Sequence, residues 1–462
     1  MHFRASTSKP SPTTLAGANT RGCPARAMAG TATAALVACI ALALAAPIAH
    51  AQAAKASAQS ATPPVLYWMD VATYSMMGMD ELPEMDGMAG MMMGGMMGRT
   101  SMTGRDGRHA KGVGNFGQTK GMGGIGRQLD IALYTRARPA GTSATQQIPD
   151  RADVGANPLH LVTPPRESVS GSSDEASYPE RPRGRILFYW GCSKQVKAGQ
   201  PRILDMSKLS TQDYTNFMQG RSVKDRGARA EAGYAIWPNE RENSHIRRDA
   251  SLAGQHSLSG EGVPASMSFT LGHDQDFMPS LKVDSAGDLK DSVHVSWQTL
   301  PTARAYLLTA ISGGKDHNDD PEMVIWSSSE PPESGFGLMD YVSNANIDKW
   351  LGEKVLLPAK QSDCDVPAGI FAKSEGAMLQ AIAYGNELNI VHPPRPANPK
   401  TPWTPEWSVR VRNKSVAMNM LGQENADMSD GRSDRSRRNE RKQRNEEERP
   451  GPGSVLRNLF KR

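Results

Sequence analysis

The sequence contains little cysteine and few aromatic residues. Only four of its 462 residues are cysteine, and Phe, Trp and Tyr together make up 6%. Cys23 and Cys39 lie within the first 51 residues, so Cys192 and Cys364 remain for the rest of the chain. In an oxidising compartment these two indicate one disulfide. The alternative is two buried thiols in separate β-layers, because sequence does not show whether their Cα atoms come within bonding distance.

Local catalytic motifs are also missing. The chain has no Gly-x-Ser-x-Gly elbow, no paired metal-ligand histidines, no cysteine with a suitably spaced histidine, and no P-loop. Two GxGxxG matches within 112–126 neither follow a hydrophobic strand nor open a helix, as a dinucleotide site requires. We therefore expect no enzymatic activity and no cofactor. A hydrolase with a site assembled between two modules is an alternative, because catalytic triads are spatial.

A strong charge of one sign is absent once the first 51 residues are set aside. Four of the 53 Lys and Arg residues lie there and none of the 48 Asp and Glu residues does, which leaves 49 basic against 48 acidic residues. A global basic field that would attract nucleic acid is missing, so nucleic acid is not an expected partner.

The first 51 residues have the order of a secretory signal peptide. Basic residues come first, an Ala/Leu-rich run covers 28–46, and Ala49-His50-Ala51 supplies small residues for cleavage. We expect export to the periplasm or the extracellular space, with Gln52 as the mature first residue. One alternative is an uncleaved anchor, and another is a lipoprotein acylated at Cys39, with outer-membrane association.

Short apolar runs bounded by Gly, Pro, Asn and Asp predict β-strands. Ten such runs are Val65 to Tyr74, Leu129 to Thr135, Leu159 to Val162, Ile186 to Trp190, Met267 to Leu271, Val293 to Trp297, Tyr306 to Ile311, Val324 to Ser327, Met378 to Tyr384 and Trp407 to Val411. Several alternate with period two, which is typical of half-buried antiparallel sheets. Helical periodicity is short, around Ser210 to Met218 and Asn346 to Leu351.

These patterns predict a mainly β chain of two antiparallel β-sandwich modules in series. The first module covers 52–283 and includes a Met/Gly-rich insertion at about 76–126 and a polar loop at about 141–183. The second covers 284–422. A charged tail at 423–462 is expected to be disordered, because it cannot bury apolar area.

The second module resembles a known fold. Ser292 to Trp297 followed by Thr299 to Tyr306 resembles the B-to-C strand region of fibronectin type III sandwiches, which pair an inward tryptophan with a tyrosine on the next strand. Residues 365–369 and 377–385 are similar to the later strands. The resemblance covers about 286–392 and departs from the pattern at a helical insertion, 343–351. It implies a buried Trp297 and Tyr306 but no activity. The whole chain also resembles exported proteins of Gram-negative bacteria.

Methionine is concentrated in the insertion. Thioethers are soft ligands that select copper(I), so this segment is an alternative copper site. The candidate ligands are Met88, Met91, Met92, Met93, Met96 and Met97. Two other interpretations are a flexible low-complexity insertion and an adaptable apolar surface for a partner. We favour the flexible insertion because its glycines cannot pack.

The function expected from these observations is a binding or scaffolding component of the Gram-negative envelope, with an envelope protein or a glycan as partner. The C-terminal end adds a peripheral membrane contact as an alternative to an unstructured end. Its apolar residues are Val455, Leu456, Leu459 and Phe460.

Overall fold

A computed structural model describes residues 63–76, 116–120, 125–136, 143–164, 184–208, 220–231, 233–316 and 318–422. Several predictions lie outside these residues: the signal peptide, most of the Met/Gly-rich insertion with all six candidate copper ligands, the helix at 210–218, and the charged tail. The described residues all belong to one compact unit, Thr62–Arg462.

The described part of the chain is mainly β, as predicted, and contains a single α-helix. Its strands are β1 Val65–Met76, β2 Gly126–Thr135, β3 Ser143–Gln147, β4 Leu159–Val162, β5 Arg185–Trp190, β6 Arg202–Asp205, β7 Tyr234–Trp237, β8 Gly254–Gly260, β9 Ser268–Leu271, β10 Val283–Ala286, β11 Val293–Trp297, β12 Ala305–Lys315, β13 Pro321–Ser327, β14 Leu357–Pro358, β15 Asp363–Val366, β16 Ala377–His392 and β17 Trp407–Leu421. No helix in the described ranges is long and apolar enough to cross a membrane.

All ten predicted strands are present, and the helix at 346–351 is confirmed as α1, Asn344–Gly352. Ser343 caps this helix by accepting a hydrogen bond from the backbone N–H of Asn346. The period-two alternation is also confirmed in β11, where Val293 and Val295 are buried and His294 between them is exposed. The predicted polar loop at 141–183 contains β3 and β4, so part of it is ordered sheet.

The strands of the two expected modules are interleaved. One large sheet has the order β6-β5-β13-β12-β16-β17-β1-β2-β7-β4-β3-β8-β9, and a small sheet has the order β10-β11-β15. β1, from the start of the described chain, pairs in parallel with β17 at its end. β5, which belongs to the expected first module, likewise pairs in parallel with β13 of the expected second module. A simple succession of two modules therefore does not describe the strand pairings, because hydrogen-bonded ladders cross the expected boundary twice.

Two main hydrophobic clusters partly preserve the expected division. The first is built on β1, β2 and β17 together with β3, β4, β8 and β9. The second contains the small sheet, β12 and β16, and includes Trp297 and Tyr306. Both aromatic residues are buried as predicted, and their ring centroids lie 5.5 Å apart. A third cluster packs α1 against the centre of the large sheet.

Candidate functional site

The structure joins Cys192 and Cys364 in a disulfide, with their Cα atoms 5.0 Å apart. Of the two arrangements that the sequence left open, the structure shows the bonded one. Cys192 follows β5 and Cys364 lies in β15, so the bond ties the β5 end of the large sheet to the small sheet. The closed loop is long, with a sequence separation of 172 residues.

Charged side chains meet in the centre of the large sheet, on the face that carries the third hydrophobic cluster. Asp70 on β1, Asp130 on β2, and Arg412 and Lys414 on β17 are each at most 2% exposed. Register pairs Asp70 with Arg412 on one side and with Asp130 on the other. We call these four residues the charged cluster. Buried charges are costly unless paired, so their partners decide what the cluster can do.

Asp70 and Arg412 form a two-pronged ion pair. Arg412 Nε and Nη2 donate to the two carboxylate oxygens of Asp70, each at 2.7 Å, and the backbone N–H of Ala228 donates to Oδ2 at 3.0 Å. Burial alone would lower the pKa of Arg412, but the Asp70 carboxylate outweighs it and the pKa is raised. The two side chains are therefore paired with each other by charge-assisted hydrogen bonds.

Asp130 holds a turn at residues 116–120. Its carboxylate accepts hydrogen bonds from the backbone N–H groups of Gly117, at 2.8 Å, and Thr119, at 3.0 Å, and from the Thr119 hydroxyl. Burial raises the pKa of Asp130 to about 6, although these hydrogen bonds oppose the shift. Tyr74 adds a hydrogen bond of 3.0 Å from its hydroxyl to the Thr119 carbonyl. The turn at 116–120, which precedes β2 in the chain, is thus hydrogen-bonded to the sheet.

Lys414 is the buried amine of the cluster. Its Nζ donates to the Met339 carbonyl at 3.1 Å and lies 4.6 Å from the ring centre of Tyr341, which Arg412 also faces at 4.3 Å. Burial lowers the pKa of Lys414 to about 8, against the attraction of Asp340. A pKa this low suits a nucleophilic lysine. Lys414 is only 1% exposed, however, so a substrate cannot reach the amine in this conformation.

The opposite face of the central strands holds the segment 278–283. Thr73 donates to the carbonyl of Met278 and Ser75 to that of Leu281, each at 2.7 Å. Further hydrogen bonds of 2.9 and 2.8 Å run from β17 to the carbonyls of Pro279 and Val283, donated by Ser415 and Asn419. Four side chains of β1 and β17 therefore fix the backbone at the expected module boundary.

A surface pocket of about 500 Å³ opens on this fixed segment. The segment supplies one wall, and the turn after Trp297 supplies the other. Its lining includes Arg248, Ser280, Lys282, Gln298, Thr299 and Leu300. With Pro279 and Pro301, these residues form a lining of mixed polar and apolar character. We call this the boundary pocket.

The charged cluster and the boundary pocket were both missed in the sequence. A carboxylate inside an apolar run, as in Met69-Asp70-Val71, was the available signal, because a strand buried on both faces tolerates a charge only with a partner. The pocket joins segments that contain no motif. Among the described residues no group of three or more His, Cys, Asp or Glu is placed to hold a metal ion.

Comparison with known proteins finds no family and no curated relative for this chain.

Proposed function

We propose that the chain is an exported, non-enzymatic binding or scaffolding protein of the Gram-negative envelope, with the boundary pocket as its binding site. The observation that carries this proposal is the pocket's construction: its wall at 279–282 is held by side chains from the two central strands. A pocket with a fixed wall binds a ligand without losing much conformational freedom on association. A polypeptide or a glycan of the envelope fits its lining.

The disulfide supports the export part of the proposal. Cys192 and Cys364 are bonded, and disulfides persist mainly in oxidising compartments outside the cytoplasm. This agrees with the signal-peptide pattern of residues 1–51 and with cleavage before Gln52.

The charged cluster supports a structural role over catalysis. Asp70 and Arg412 are paired with each other, and the Asp130 carboxylate is filled by donors from the turn at 116–120. Lys414 is closed off from solvent. These buried, hydrogen-bonded side chains hold loops on the sheet, and their charged atoms are not exposed to solvent.

We also propose that 286–392 is a module like fibronectin type III, as the resemblance implies. The packing of Trp297 against Tyr306 supports it. Tyr306 further accepts a hydrogen bond of 2.7 Å from the backbone N–H of Leu300, which closes the turn between the two strands.

Site-specific photocrosslinking tests the binding proposal. A photoreactive phenylalanine analogue would replace Gln298 in the boundary pocket of the full chain, produced in a Gram-negative host. Lys360, exposed in the turn after β14, is the matched control position. We expect a discrete crosslinked product from position 298 that is absent from position 360. Identical products at both positions, or turnover of an envelope substrate by the purified chain, would contradict the proposal.

A further inference from the structure

Four methionines lie together on one face of the sheet formed by β16, β17 and β1. Strand register pairs Met76 with Met418 across β1 and β17, and pairs Met378 with Met420 across β16 and β17. Met418 and Met420 are two residues apart on one strand, so their side chains leave the same face. All four therefore share that face at one end of the sheet. We call them the methionine face.

Their spacing brings the thioethers within reach of one another. Neighbouring strands lie about 4.8 Å apart, and residues two apart on a strand are separated by about 7 Å. Met418 is buried, whereas Met76, Met378 and Met420 are half-buried, so the group spans the border between core and surface. Flexible methionine side chains of this spacing can converge on one point.

A glycine lies beside one of these sulfurs. Gly376 precedes Met378 by two residues and lies on the same face, where a Cβ atom would come 3.1 Å from the Met420 sulfur. Any larger residue would have to displace this thioether. Because Gly376 has no side chain, the Met420 sulfur has room beside Met378.

An unsatisfied oxygen lies in the same row. Gln380 is paired in register with Met418, and its Oε1 is buried without a hydrogen-bond partner in the described part of the chain. A buried acceptor normally finds a partner, so this oxygen has room for one more hydrogen bond, from a water molecule or from a bound group. This observation is independent of the methionines.

Methionine is not used in this way on the opposite face. At the same level of the three strands that face carries Ala, Leu, Ser and Asn, at Ser75, Ala377, Leu379, Ala417, Asn419 and Leu421. Alanine and leucine side chains and the hydrogen bonds of Ser75 and Asn419 therefore pack that face. Sulfur is concentrated on one side of this end of the sheet.

We propose that the methionine face binds a soft monovalent cation, copper(I) or silver(I). Thioether sulfur selects such ions over hard cations, and the thiols of Cys192 and Cys364 are consumed in the disulfide. Met378, Met418 and Met420 are the central ligands, with Met76 at the edge. These ligands are different residues from the methionines at 88–97, which lie outside the described residues.

Metal titration of the full mature chain tests this site. Silver(I) would be titrated into the protein, and copper(I) would be measured by competition with a chelator. The variant Met378→Leu/Met418→Leu/Met420→Leu keeps the side-chain volumes nearly constant. The control Met69→Leu/Met267→Leu/Met278→Leu changes three buried methionines elsewhere.

We expect the first variant to bind one ion at least about tenfold more weakly, since changes even around a metal's ligands cost that much. The control should bind as the unsubstituted chain does. Deleting 87–99 should leave this ion bound. Equal affinity in both triple variants, or loss of all binding on the deletion, would overturn the proposal.

Methionine methyl resonances give a second measurement that does not depend on a substituted protein folding. On adding silver(I) to the unsubstituted chain, we expect the resonances of Met378, Met418 and Met420 to shift while that of Met69 stays in place. Shifts confined to methionines outside the face would overturn the proposal.

Discussion

The charged cluster shows what single residues contribute in the centre of a wide sheet. Removing an ion pair from water is costly, and the loss is recovered only with good geometry and further hydrogen bonds. Asp70 and Arg412 meet this condition with two bonds of 2.7 Å and one backbone donor. Asp70, Asp130 and Lys414 also hydrogen-bond three separate backbone segments, so the cluster holds these segments on the sheet.

Asp130 gives a pH-dependent test of this role. Burial raises its pKa from 3.8 to about 6, so the folded protein holds a proton more readily than the unfolded chain. Stability contributed by this group is present below about pH 4 and is lost as pH rises towards 6, by about 3 kcal/mol. Relative to Asp130→Asn, the unsubstituted protein should lose about 2 kcal/mol of this between pH 4 and 6.5. Urea unfolding at both values measures it, and a pH-independent difference between the two proteins would refute the buried titration.

Sequence indicated the aromatic core residues better than the charged ones. Trp297 and Tyr306 could be located because a period-two apolar pattern followed by a short turn is a local signal. For Asp70 the only signal was a carboxylate inside an apolar run, because its partner Arg412 is distant, at a sequence separation of 342. A strand sequence with one charged residue predicts a half-exposed strand unless the partner of that charge is known.

At the scale of elements, the segment 220–231 depends on a close approach to the sheet. Gly227 lies against the Asp70–Arg412 pair so tightly that a Cβ atom there would overlap atoms of both side chains. Glycine is needed at this position for space, since no side chain fits between the segment and the ion pair.

The variant Gly227→Ala should therefore destabilise the protein by about 1–3 kcal/mol, the usual cost of overpacking a buried site. Gly352, at the end of α1, is the matched control, because a Cβ atom there meets nothing within 4 Å. Gly352→Ala should leave the urea midpoint almost unchanged. Equal midpoints for the two variants would show that the segment does not rest on the ion pair as described.

The strands missed in the sequence are those without a local pattern. Seven of the 17 described strands lay outside the predicted runs, including β3, with the sequence Ser-Ala-Thr-Gln-Gln. Gln146 of β3 is fully buried and accepts a hydrogen bond of 3.0 Å from the hydroxyl of Tyr67. Such strands are selected by ladder pairing and by polar partners across the core, which composition alone does not reveal.

At the scale of the whole molecule, the parallel ladders explain why the modules are not simply consecutive. β1 lies between β17 and β2, and β5 extends the sheet beyond β13. Local patterns identify strands but contain no information on which distant strands pair. The division into two hydrophobic clusters could therefore be anticipated, whereas the exchange of strands between them could not.

We propose that this interlocked β-protein works outside the cytoplasm as a binding component of the envelope. Mass spectrometry of the chain isolated from a Gram-negative host, with a peptide map under non-reducing conditions, tests it most directly. The account predicts a first residue of Gln52 and linked peptides containing Cys192 and Cys364. An uncleaved leader with both thiols free would contradict it.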